Sequence, residues 1–400
     1  MIERKEYLNQ LIAGREKKVI KVVTGVRRCG KSTLFQLYID YLKSTGVTDD
    51  QIISVNLEDI DYENLLNYKA LYEYVKERLQ KDKYTYIFLD EVQNCMDFEK
   101  AVDSLYIKPN VDVYITGSNA YMLSGELATL LSGRYITIEM LPLSFREYCI
   151  AQAGNGKSLR ENFNDYLRFG SFPYIAQLER SDAAVAPFID GIYNTILVKD
   201  VVKREGITDV SLLESVVKFI ADSIGSPISA KRISDTINSS GRRVSVNTVE
   251  NYLRALTDSY ILYKAERYDI KGRQLLKTLG KYYIVDTGIR NMLLSSSESD
   301  IGHLIENIVF LELRRRGYKV NIGKMLESEI DFVASDMVGR SYYQVSASVL
   351  DSRTLERELS PLKKIPDNYP KLLLTLDEIG TGSNYEGIRH VNLLHWLLGE

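Results

Sequence analysis

Histidine, cysteine and tryptophan are scarce in this sequence: three, three and one among 400 residues. Cys29, Cys95 and Cys149 stand far apart and form no C-x-x-C pair. This excludes a disulfide framework and a cysteine zinc site and fits free thiols in a reducing cytoplasm. His303, His390 and His395 are too scattered for a metal site, and the last two, near Trp396, read as structural. No apolar run approaches the ~20 residues of a membrane span, so no membrane partner is expected. The opening MIERKEYLNQLIAG is too charged for a signal peptide, and a cytoplasmic location is expected. A surplus of charge is also missing: 51 Lys and Arg against 54 Asp and Glu leave a net −3. Nucleic acid is therefore expected only at a local basic surface. The rest is ordinary globular composition, 45% hydrophobic and 26% charged, in a chain long enough for two or three domains with separate cores.

From Lys18 to about Ile150, strand-like runs (KKVIKVVTG, QIISVNLED, YTYIFLDE, VDVYITGS, RYITIEML) alternate with helical ones (STLFQLYIDYLKS, ENLLNYKALYEYVKERLQ). Such alternation predicts a mostly parallel sheet covered by helices, with ligands at the carboxyl ends of its strands. Four units are expected: an α/β core over 1–150, a helical lid over 151–208, three helices and two strands over 209–294, and a mixed α and β unit over 300–400. Ser295–Asp300, SSSESD, is the best linker candidate.

Within TGVRRCGKST, Gly25, Gly30, Lys31 and Ser32 fit G-x-x-x-x-G-K-[ST] between a strand and a helix. Glycines let the backbone curl so that N–H groups point at phosphate oxygens, and the helix start adds its positive end. The stretch Gly25, Val26, Arg27, Arg28, Cys29, Gly30, Lys31, Ser32 and Thr33 is the expected nucleotide cradle. Lys31 reaches the β- and γ-phosphates, and Ser32 ligates Mg²⁺. Some sixty residues on, YIFLDEV ends a buried strand in two acids. Asp90 is expected on the Mg²⁺ and Glu91 as the base that polarises the attacking water. At the end of VYITGSN, Ser118 and Asn119 are candidates to contact the γ-phosphate or the water, Asn119 being favoured because an amide both donates and accepts; the alternative is a plain turn. Arg134 is either an arginine finger for a neighbouring subunit or a surface ion pair.

Together TGVRRCGKST, YIFLDEVQN, ITGSNAYML, LSGRYITIEMLPLSFREY and YLRFGSFP resemble the prokaryotic AAA+-like ATPases that carry a DUF4143 C-terminal region. The resemblance covers nearly the whole chain. It implies an ASCE-type P-loop NTPase core with Lys31, Ser32, Asp90 and Glu91 in the roles above, and no defined cellular task.

LLESVVKFIADSI, SAKRISDTINSS and SVNTVENYLRALTDS read as three helices, with Ser229 and Ser245 as N-caps. Val246, Val249, Leu253 and Leu256 form an inward stripe, and Asn247, Asn251 and Arg254 face the other way. With YILYKAERYDI and GKYYIVD as a wing, the region resembles winged helix-turn-helix domains. Residues 228–290 hold twelve Lys or Arg against six Asp or Glu. Arg242 and Arg243 sit in the turn before the third helix, suited to DNA phosphates. The alternative is a winged helix used for packing.

From His303 to Val349 the order of elements is that of a PD-(D/E)xK, restriction-endonuclease-like domain, with Glu306 on a helix and Asp331 on a strand. Gln344 and Ser346 occupy the places of the second acid and the lysine. A neutral amide and a serine cannot do that chemistry. A nuclease-like domain without cleavage is expected, acting in binding or assembly through Arg314, Arg315 and Arg316. The whole reads as an ATPase that hydrolyses ATP with Mg²⁺ and couples this to conformational change, with DNA or a second copy of the chain as partners. The competing reading is a DNA-binding or interaction module that ATP merely sets; an ATP-dependent nuclease is disfavoured.

Overall fold

The computed structural model describes residues 2–119, 131, 133–294, 301–325 and 327–400; the expected linker, Ser295–Asp300, lies outside them. The chain divides into two compact units, Met1–Pro142 with Asp258–Tyr260, and Leu143–Thr257 with Ile261–Glu400.

The first unit opens with α1 (Lys5–Gly14) and alternates β1 (Ile20–Thr24), α2 (Lys31–Ser44), β2 (Ile52–Asn56), α3 (Tyr68–Lys76), β3 (Thr85–Asp90), α4 (Phe98–Tyr106), β4 (Val111–Gly117) and β5 (Tyr135–Glu139). The five strands form one sheet in the order β2-β3-β4-β1-β5, and every pairing is parallel. β1, β3 and β4 are buried along their whole length, which explains their near-continuous apolar runs. α2 buries Leu34, Phe35, Tyr38, Ile39 and Leu42, a stripe at helical spacing.

A buried ion pair sits inside that sheet. Lys21 on β1 and Asp112 on β4 are 0% and 1% exposed and form an ion pair. Lys21 Nζ also donates to the Lys17 carbonyl at 3.0 Å. Asp112 accepts from Glu16 N and the Tyr114 hydroxyl, both at 2.7 Å, and Tyr114 meets Tyr38 at 2.9 Å. Burial pushes the Lys21 ammonium down and the Asp112 carboxyl up, so each ion depends on the other.

The second unit begins with α5 (Phe145–Ala151) and α6 (Leu159–Phe169), each opened by a capping box, Ser144 with Glu147 and Ser158 with Glu161. α7 (Asp182–Thr195) runs into a π-helical segment, Ile196–Val202. Then come α8 (Val210–Asp222), α9 (Ala230–Ser239) and α10 (Val246–Asp258). Ser229 caps α9 through Arg232 N, and Ser245 caps α10 through Thr248 N at 3.1 Å. The strands β6 (Leu262–Asp269) and β7 (Gln274–Ile284) form a hairpin. They are followed by α11 (Thr287–Leu294), α12 (Ile301–Arg315), β8 (Lys319–Met325), β9 (Ser328–Ser335), β10 (Arg340–Ser346), α13 (Ser352–Lys363), β11 (Lys371–Thr375), β12 (Asn384–Tyr385), β13 (Ile388–Asn392) and α14 (Leu393–Leu398). The hairpin expected as a wing is the end of an eight-stranded mixed sheet, ordered β12-β13-β11-β10-β9-β8-β6-β7. β6 pairs in parallel with β8, so the two strands that follow the middle helices and the strands of the tail form one sheet.

The Lys21–Asp112 pair yields a stability prediction. Lys21→Met strands a buried carboxylate and is expected to cost about 3–5 kcal/mol. Lys21→Met/Asp112→Asn keeps an acceptor for Glu16 N and Tyr114 and should recover more than half of that. Urea denaturation of both variants is the check.

Candidate nucleotide site

β4 lies between β1 and β3. The carboxyl ends of three adjacent strands therefore converge: Thr24–Gly25, Asp90–Glu91 and Gly117–Ser118. Where β1 ends, Thr24 O accepts from Met140 N at 2.7 Å. Gly25 has φ +144°, and a Cβ there would lie 2.1 Å from the Met140 carbonyl oxygen, so no larger residue fits. The loop also takes Arg28 (φ +69°) and Gly30 (φ +105°) through left-handed conformations. Gly30 is the N-cap of α2, whose first turn begins at Lys31.

Lys31 is 3% exposed. Its ammonium donates to the carbonyls of Gly25 at 3.1 Å and Val26 at 3.4 Å and lies 3.5 Å from Glu91 Oε1. Val26 and Cys29 are fully buried, and Arg27 pairs with Glu58 at 2.6 Å. Ser32 and Thr33 are exposed at the helix start, and the Ser32 side chain lies near enough to Asp90 to favour its ionised form. Thr116 on β4 donates to Asp90 Oδ1 and accepts from Glu91 N at 2.9 Å. Glu91 itself is left-handed, φ +53°, an uncommon conformation for this residue type. Its Oε2 accepts from the Ser118 hydroxyl at 3.1 Å and from the Gln93 amide.

The two acids are pushed apart. Burial raises the Asp90 carboxyl, against hydrogen bonds from Ser32 and Thr116. Burial works on Glu91 in the same direction, but Lys31, Gln93, Arg27 and Ser118 outweigh it, so its pKa falls below the ordinary glutamate value. An ionised Glu91 suits a base. These residues fit a magnesium nucleotide on the structure's own terms: a backbone cradle that a single Cβ would fill, a buried ammonium, and the Thr24 hydroxyl, buried with no partner among the described residues.

Of the residues singled out at the γ-phosphate, Ser118 is bonded to Glu91, and Asn119 is buried at 3% exposure just past β4. Residues 120–123, the end of ITGSNAYML, lie outside the described residues. Arg134 lies apart. It precedes β5, its carbonyl accepts from Ile20 N at the amino end of β1, and ~13 Å of strand separate that end from the loop. Its side chain pairs with Asp103 at 3.1 Å and covers the Tyr106 ring.

Arg4 was not legible as a site residue. Only 2% exposed, it donates to the Cys29 carbonyl at 3.0 Å and to Leu141 O at 2.7 Å. It thus ties the phosphate loop to the exit of β5. Nothing in a charged amino-terminal stretch marks such a side chain in advance.

In the second unit, Asn247, Asn251 and Arg254 are exposed on α10, while Val249, Leu253 and Leu256 are buried. Arg243 is exposed, and Arg242 reaches back to Ser211 at 2.7 Å. The tail corrects one expectation. Arg315 and Arg316 are not a free basic patch: both pair with Glu312, at 3.2 and 2.8 Å, and Arg316 stacks over Trp396 and donates to its carbonyl. The acids do gather around a lysine, but from another strand. Lys281 on β7 lies 3.1 Å from Glu306 and 2.8 Å from Glu329. Burial, and Glu306 next to it, hold the Asp331 carboxyl well above its usual range. Gln344 donates to Glu358 at 2.9 Å, and Ser346 to Ser348 O at 3.1 Å. Among the described residues no group of three His, Cys, Asp or Glu could hold a metal ion, and no helix is long and apolar enough to cross a membrane.

The first unit is a parallel sheet with a glycine-rich loop leading from the end of β1 into α2. Residues 17–149 match the family model of an AAA domain. Residues 160–300 match a domain of unknown function, DUF8612, a different domain from the DUF4143 region that the sequence resemblance implied. The chain is 36% identical over 406 residues to an uncharacterized protein of Haemophilus influenzae, covering all of this chain and 99% of that one. It is 31% identical over 333 residues to an uncharacterized protein of Methanocaldococcus jannaschii, covering 78% and 71%. It belongs to the same family as these two proteins. Among solved structures it is similar to a Walker-type ATPase of Pyrococcus abyssi, with a TM-score of 0.48 and 13% identity over 73% of this chain and 96% of that one.

The Arg4 tie yields a prediction. Arg4→Ala, by freeing the Cys29 carbonyl, should weaken ATP binding about tenfold, the equivalent of ~1.4 kcal/mol. Isothermal titration calorimetry with Mg²⁺ present measures it.

Proposed function

We propose that this protein binds ATP with Mg²⁺ at Gly25–Thr33 and hydrolyses it. The observation that carries the reading is the meeting of Lys31, the Ser32–Asp90 pair and an ionised Glu91 at the carboxyl ends of β1 and β3. The loop amides and the α2 amino end bind the phosphates, and Lys31 exchanges backbone carbonyls for phosphate oxygens. Ser32 and Asp90 would hold Mg²⁺, which when bound neutralises charge on the β- and γ-phosphates. Glu91 takes the proton of the attacking water, and Ser118 and Asn119 border that position. An arginine-finger role for Arg134 would be on a neighbouring copy, since its own loop lies at the other end of β1.

The energy is coupled to conformational change, with DNA as the candidate substrate. The exposed face formed by Arg242, Arg243, Asn247, Asn251 and Arg254 favours DNA contact, in the manner of a winged helix whose strands belong to a larger sheet. It equally serves the second reading, a nucleotide-set DNA-binding module without motor action. The sheet of the second unit is read as nuclease-like in outline and without cleavage, because Gln344 and Ser346 lack the needed charges.

Glu91→Gln should keep ATP binding and lose hydrolysis by about 100-fold or more, measured as phosphate release beside calorimetry. Unchanged turnover removes Glu91 from the mechanism, and no ATP uptake by the wild type removes the function. Arg243→Ala/Arg254→Ala should weaken duplex DNA binding and flatten its salt dependence by about two phosphate contacts. Mobility shifts across a salt series read this, and stimulation of phosphate release by DNA separates motor from module.

A further inference from the structure

Gln93 lies two residues beyond Glu91 and was given no role by the sequence. Its side chain closes a three-membered ring. Gln93 Nε2 donates to Glu91 Oε2 and, at 3.3 Å, to Ser118 Oγ, while Ser118 Oγ donates to the same Glu91 oxygen at 3.1 Å. The amide's orientation is fixed by chemistry. A carboxylate only accepts, so the NH₂ end must face Glu91. That leaves Gln93 Oε1 buried, with no hydrogen-bond partner among the described residues. A buried acceptor left open costs free energy, and such exceptions in native structures call for an explanation.

We infer that Gln93 is a positioning residue for hydrolysis: with Ser118 it clamps one oxygen of the Glu91 carboxylate, so that the other faces Lys31 and the reacting phosphate. The inference rests on the hydrolytic reading above. Two donors on Oε2 remove the rotational freedom of the carboxylate, and Lys31 lies 3.5 Å from Oε1. The left-handed backbone at Glu91, held by the Thr116 bond to its N–H, brings the side chain into reach of both donors. The charged groups that bear on Glu91 are Lys31 on α2, Arg27 in the loop and Asp90 beside it on β3. The Gln93 amide is the largest uncharged contribution keeping Glu91 ionised. The open Oε1 is a ready acceptor for a water in that position.

Gln93→Met keeps the length and loses both polar ends; Gln93→Glu sets a second carboxylate against Glu91. kcat and KM for ATP are measured on the full chain beside ATP affinity by calorimetry. Expected are a kcat lower by about 10- to 100-fold for Gln93→Met and lower still for Gln93→Glu, with ATP affinity within about threefold of wild type, the split that separates positioning of the base from damage to the loop. Wild-type kcat in both variants overturns the inference. So does a loss of kcat matched by an equal loss of ATP affinity. A wild type that releases no phosphate overturns the hydrolytic reading and the inference with it, whereas a hydrolysing wild type with unaffected variants overturns the inference alone.

Discussion

The site depends on one topological constraint, the insertion of β4 between β1 and β3. Were β1 and β3 neighbours, the phosphate loop and the Asp90–Glu91 pair would abut directly. The intervening strand opens a gap and fills it with the side chains of Thr116 and Ser118. Thr116 donates to Asp90 and accepts from the Glu91 amide, so a single hydroxyl fixes the end of β3 in both directions. All five strands are parallel, so their carboxyl ends open on one edge of the sheet, where α2 also begins.

That constraint also separates two adjacent carboxylates. The Asp90 carboxylate accepts from the Thr116 hydroxyl, with Ser32 nearby, and burial dominates its ionisation. Glu91 turns the other way through a left-handed residue and meets Lys31, Gln93 and Ser118. Adjacent acids with the same backbone hydrogen-bonding would resist ionising together. The change of direction at Glu91 gives each its own partners, which is what the proposed division into a metal ligand and a base requires of neighbours in sequence.

Much of this was legible in the sequence because it depends on local pattern. Apolar runs ending in glycine or acids marked β1, β3 and β4, and the spacing of Gly25, Gly30 and Lys31 marked the loop. Ser229 and Ser245 announced two helix starts. Other features depend on pairings across long separations and left no local trace. Arg4 reaches Cys29 and Leu141 through the fold, and Lys21 hides a buried charge inside what reads as a β-branched strand. The hairpin β6–β7 reads from sequence proximity as a wing of its neighbouring helices, and its further pairing with β8 left no local trace. Arg315 and Arg316 look like a basic patch until Glu312, one turn away, and Trp396 take up their charge.

Three buried lysines show why only one of these charge clusters is suited to chemistry. Lys21 is saturated by Asp112, with tyrosines closing the group from the far side. Lys281 is held between Glu306 and Glu329 at 3.1 and 2.8 Å, and displacing it would leave two acids beside Asp331 without a cation. Lys31 has the loosest arrangement: two backbone carbonyls at 3.1 and 3.4 Å and one carboxylate at 3.5 Å. Glu91 also has donors in Gln93 and Ser118, so it is not left bare when the ammonium turns to a phosphate oxygen. In the hydrolytic reading proposed above, that exchange is what Lys31 must make, and the other two lysines are held too closely by their acids to make it.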